Sequence, residues 1–163
     1  MPRLLSSVVS LGLATMLAGH GFAAPLVFRA TLTGDQEVPP VDTSARGTGS
    51  FRATPGLDEL RFDLRVTSGV GVTMAHLHCA PAGVNGPIVA FLFGPADPPV
   101  DVSGKLASGT ITNADILPTD GEPCGATINN VASLYAAILE GRVYANVHTT
   151  DNPAGEVRAQ LFP

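Results

Sequence analysis

The sequence predicts an all-β fold, an antiparallel β-sandwich of Greek-key type with about eight short strands and one short helix. Three observations predict it: a polar–apolar period of two along most of the chain, joints rich in Gly, Pro, Asn and Asp, and a single stretch of helical periodicity. The clearest strand is Leu60–Val66, where Leu60, Phe62, Leu64 and Val66 alternate with Arg61, Asp63 and Arg65. Such a strand packs one face on a core and wets the other. Val27–Thr33 and Gly49–Thr54 read as earlier strands. Thr73–Cys79, Pro87–Phe93, Val100–Ser103, Leu106–Thr112, Arg142–Thr149 and Glu156–Phe162 read as later ones. "TGDQEVPP", "ATPG" and "DNPAG" mark turns between them. The helix falls in Asn129–Gly141, "NNVASLYAAILEG". There Val131, Leu134, Tyr135 and Ile138 form one stripe, an Asn caps the start and Gly141 ends it.

Residues 1–24 read as a secretory signal peptide, and residues 25–163 as one domain without a linker or repeat. Arg3 supplies the positive start, Leu4–Leu17 the apolar run, and "GHGFAA" small residues for cleavage after Ala23. Ser6, Ser7, Ser10 and Thr15 interrupt the run, which argues against an uncleaved anchor, since that needs about 18 apolar residues. A secreted or periplasmic location follows. The full chain has formal net charge −5, from nine basic and fourteen acidic residues. No basic run occurs, which makes nucleic acid and anionic membrane surfaces poor partners. Trp is absent and there are two Tyr, so an aromatic platform for stacking sugars is not expected.

Two cysteines in an exported chain favour pairing, Cys79 with Cys124. The alternative is a reactive Cys79 thiolate beside His78. Other chemistry is poorly supported. No Ser sits in a nucleophile-elbow pattern, and "GVNGP" lacks the helix and lysine of a phosphate loop.

The histidines carry the main functional signal. "AHLHCAPAGVNGP" at Ala75–Pro87 holds His76 and His78, and "VYANVHT" at Val143–Thr149 holds His148. By alternation Ala75, Leu77 and Cys79 share the core face of one strand, while His76 and His78 share the other. On the second strand Val143, Ala145 and Val147 face the core, while Tyr144, Asn146 and His148 face away. All three imidazoles are therefore expected on a partly exposed polar face. Side chains at i and i+2 start from Cα atoms roughly 6.6 Å apart and can lean onto a common ion. His148 would complete a three-nitrogen face with a position left open. Tyr144 and Asn146 would neighbour it. The other reading has these histidines hydrogen-bonding loop carbonyls.

Four stretches, "DQEVPP", "GTGSFRAT", "AHLHCAPAGVNGPIVAFLF" and "VYANVHTTDNPAGEVRAQL", together resemble the CHRD domain, named after chordin and widespread in exported bacterial proteins. The likeness spans about Leu26 to Phe162 and includes His76, His78, His148 and the Gly155–Arg158 turn. It implies a fold and a location, not a reaction. The "DNPAG" joint is short for the family, which would reduce any site built from that loop.

Three functions are carried forward. The first is a binding module holding one copper or zinc ion through His76, His78 and His148. The second is an extracellular structural or adhesion module with a protein or matrix partner and no metal. The third, and weakest, is a copper-dependent oxidoreductase, by analogy with Cu,Zn superoxide dismutase. For that enzyme no further ligands and no steering arginine can be assigned here.

Overall fold

The computed structural model describes residue 24 and residues 26–163. The segment read as a signal peptide lies outside the described residues apart from Ala24. The elements are β1 (Val27–Leu32), β2 (Arg46–Ala53), β3 (Glu59–Cys79), β4 (Ile88–Phe93), β5 (Val100–Thr112), α1 (Val131–Leu139), β6 (Val143–Thr149) and β7 (Val157–Gln160). The all-β architecture with one short helix holds. The strands form a single antiparallel sheet ordered β1-β2-β3-β6-β7, with β4 and β5 also paired to β3. Isolated bridges Arg29–Phe162 and Thr33–Arg158 bring β1 back toward β7, so the sheet curls nearly into a barrel.

The nine segments read as strands become seven strands because two pairs fuse. Leu60–Val66 and Thr73–Cys79 are the two halves of the 21-residue β3. The first half pairs with β2 and β5, the second with β4 and β6. Between them the register to β5 slips at Val66/Gly69 and again at Gly69/Val72, and Ser68 and Gly71 turn to positive φ. The extra residues bend the strand without ending it. They also switch its inward parity, from Leu60, Leu64 and Val66 to Ala75, Leu77 and Cys79. Both halves thus face one core, together with Phe28, Phe51, Val89 and Ile128. Val100–Ser103 and Leu106–Thr112 join across Gly104 in the same way.

The helix forms as its stripe requires. Val131, Leu134, Tyr135 and Ile138 are buried. The Asn130 carboxamide oxygen accepts the Ser133 amide at 2.8 Å, and the Ser133 hydroxyl accepts the Asn130 amide at 3.1 Å, a reciprocal cap. Cys79 and Cys124 are disulfide-bonded, with Cα atoms 5.1 Å apart and both side chains buried. The bridge ties the end of β3 to the segment before α1 from the core side. No helix among the described residues is long and apolar enough to cross a membrane.

Candidate metal centre

The histidines lie on the face that alternation assigned them, opposite Ala75, Leu77, Ala145 and Val147. In register, His76 faces Asn146 on β6 and Phe91 on β4, His78 faces Tyr144, and His148 faces Met74. His148 is therefore diagonal to His76 on the neighbouring strand. The expectation that this face is partly exposed is corrected. His76, His78 and His148 are 1%, 9% and 7% exposed.

The burial has a definite cause. Three loops fold over the polar face, and they are the turn motifs "DQEVPP", "PAGVNGP" and "TDNPAG". The first is fastened by Glu37, whose carboxylate accepts the Asn146 amide at 2.7 Å. It is tied to the second through Asn85, which donates to the Val38 carbonyl at 2.8 Å. The second is held by the Gly86 amide, which donates to the Tyr144 hydroxyl at 3.1 Å. A Cβ at Gly86 would collide with the Cys79 carbonyl, so only glycine lets this loop close on β3. The third is drawn in by Glu156, which accepts from Thr43, Thr149 and Asn152. Burial alone would raise the Glu156 carboxyl, but these three hydrogen bonds outweigh it and hold it below the usual range.

The imidazoles themselves converge at T-shaped and tilted angles. His76 Nδ1 and His148 Nε2 are 3.0 Å apart, and the three rings have centroids 4.8–6.1 Å from one another. One ligand nitrogen from each lies within 4.8 Å of the other two. His78 Nδ1 is 3.0 Å from the Gly86 carbonyl and His148 Nδ1 is 3.0 Å from the Pro153 carbonyl. A carbonyl only accepts, so both Nδ1 atoms carry the proton and both Nε2 atoms carry a lone pair. The Nε2 atoms of His76 and His78 are buried and have no hydrogen-bond partner among the described residues.

Charge on these rings is strongly disfavoured. Burial, reinforced by His148 and then His78, pushes His76 down to about 3, and burial pushes His78 down to about 4. Burial also lowers His148. Three neutral imidazoles thus converge at neutral pH, the protonation state in which imidazole ligates a metal.

The surroundings fix the rings. His78 stacks parallel on Tyr144 at 4.9 Å, and the Arg158 guanidinium carbon sits 3.8 Å over the other ring system of the stack, Tyr144. Arg158 is 2% exposed and donates to Asn85 Oδ1 and the Val84 carbonyl. Phe91 stands edge-on to His76 at 4.6 Å and is itself 43% exposed. Tyr144 therefore touches a histidine as expected. Asn146 instead donates to Glu37, and its carboxamide oxygen is buried without a partner. Glu37, Phe91, Glu156 and Arg158 were not read from the sequence as site residues. The available signal was position: all four lie inside quoted motifs.

Fold and site together define a small, disulfide-braced β-domain that buries three neutral imidazoles beneath three loops. The chain belongs to the CHRD domain family, whose model matches residues 28–161. No curated protein and no solved structure matches the chain.

Proposed function

We propose that this domain is an exported binding module that holds one copper or zinc ion through His76, His78 and His148. The observation that carries the reading is the pair of buried Nε2 atoms without partners beside the 3.0 Å contact of His76 and His148. Burying an imidazole lone pair unpaired costs roughly 1–3 kcal/mol, and a cation bound by His78 Nε2 removes that cost at His78. Ligands ~2.0–2.1 Å from a tetrahedral ion stand ~3.3 Å apart. The closest pair, His76 Nδ1 with His148 Nε2, is near that spacing, which makes Nδ1 the ligating atom of His76, and the widest separation, 4.8 Å, has to close by roughly 1.5 Å. The carbonyls of Gly86 and Pro153 fill the usual role of outer groups that orient a ligating histidine. Nitrogen-only ligation and the affinity order of divalent ions favour copper over zinc. The disulfide supports an oxidising location outside the cytoplasm.

The same two carbonyl contacts support a second reading, in which the histidines brace the covering loops and the domain serves as a metal-free adhesion module. Calorimetric titration of metal-stripped protein with Cu(II) and Zn(II) separates the two. Saturation at one ion per chain, lost in His76→Ala/His78→Ala, supports the metal centre. Equal weak binding by both proteins leaves the bracing role.

A further inference from the structure

The sheet collects charge that the linear sequence disperses. The outward positions of β1, β2, the first half of β3 and β5 carry Arg29, Arg46, Arg52, Arg61, Arg65 and Lys105. These are six of the eight basic residues among the described residues. They sit at alternate positions, so no basic run appears in the chain. Three carboxylates stand among them: Glu59, 3.1 Å from Arg61, Asp63, 3.1 Å from Lys105, and Asp101, which accepts the Gly71 amide at 2.8 Å. The face is thus net positive on a chain of net charge −5.

Two features of its layout point to a ligand. Arg52 is directly opposite Arg61, and Arg65 directly opposite Lys105. Glu59 and Asp63 pair with Arg61 and Lys105, which leaves the cations of Arg52 and Arg65 for an anionic ligand. Between the strands lies an open cleft of about 430 Å³, where Arg46 and Arg65 are interspersed with the hydroxyls of Thr31, Thr48, Thr67 and Ser103. Guanidinium forks pair with carboxylate or sulfate in two parallel hydrogen bonds, and hydroxyls between them match sugar hydroxyls.

We propose that this face binds an anionic polysaccharide, with Arg46 and Arg65 gripping its acidic groups. The chemistry of the face favours a saccharide over other polyanions. Its outward positions carry no aromatic ring, which single-stranded nucleic acid uses for stacking. It is a sheet surface rather than an element that enters a groove.

The test is binding of the whole exported domain to labelled dextran sulfate and oligogalacturonate, with duplex DNA of matched charge and phosphatidylglycerol vesicles alongside. Arg46→Ser/Arg65→Ser should weaken saccharide binding by about tenfold or more and reduce the salt slope by about two. Ala132→Glu/Ala136→Glu, on the exposed side of α1, changes net charge equally and should keep affinity within about threefold. Circular dichroism on both variants confirms that they are folded. Saccharide binding that is absent, unchanged in the arginine variant, or equally lost in the helix variant overturns the proposal. Equal or tighter binding of DNA or vesicles overturns the assignment to a saccharide.

Discussion

Glu37 should give the domain a pH-dependent stability of calculable size. Its side chain lies on the loop that covers the histidines, 5% exposed, and accepts the Asn146 amide at 2.7 Å. Gly155 presses on it closely: a Cβ there would come within 2.6 Å of the carboxylate. Burial raises its pKa from 4.5 to about 7, against the pull of Arg158 and with help from Glu156. Between those two values the folded protein keeps a proton that the unfolded chain has released. Stability from this group is therefore complete below about 4.5, falls as pH rises toward 7, and is flat beyond about 8. At about 1.36 kcal/mol per tenfold change, the gap amounts to about 3 kcal/mol. Glu37→Gln keeps an acceptor for Asn146 but cannot ionise. Urea unfolding of both proteins at pH 4.5, 6, 7 and 8.5, in chelator at fixed ionic strength, measures the effect. The three histidines are common to both proteins and cancel in the difference. That difference should move toward the variant by about 3 kcal/mol between pH 4.5 and 8.5. A difference constant within about 0.5 kcal/mol would show that the carboxyl is not desolvated, and the reasoning would fail.

Two further outcomes follow from the way β3 is held. The Cys79–Cys124 bridge spans a sequence separation of 45, for which chain entropy gives about 4 kcal/mol. Cys79→Ala/Cys124→Ala should lose stability of that order in urea and bind Cu(II) more weakly, because His78 precedes the bridge. Two freely alkylated cysteines in the native protein would remove the basis of this expectation. Gly86→Ala should destabilise by about 2 kcal/mol or more, because the obstructing atom is a backbone carbonyl that cannot swing aside. A thermal midpoint unchanged from wild type would mean that the loop does not pack on β3 as described.

What could be read from the chain depended on how far each cause reaches along it. The helix was legible because its stripe, cap and terminal glycine all lie within Asn129–Gly141. The strand faces were legible too, and alternation alone put His76, His78 and His148 on one side. Strand number was harder, since Gly69 and Gly104 look like breaks in the sequence but act as bends within continuous strands. Burial of the histidines was out of reach of alternation. The loops that cover them come from residues far apart, fastened by pairs such as Glu37 with Asn146 and Asn85 with Val38. The basic face escaped for the opposite reason: a period of two spreads its arginines thinly along the chain and gathers them only when four strands align.

The central claim, that His76, His78 and His148 form one metal centre, is tested most directly by X-ray absorption on protein loaded with one equivalent of Cu(II) and, separately, Zn(II). The account predicts a first shell of three nitrogens at ~2.0–2.1 Å with the outer scattering of three imidazoles, reduced to two in His148→Ala. A shell dominated by oxygen, or one that His148→Ala leaves unchanged, would contradict it.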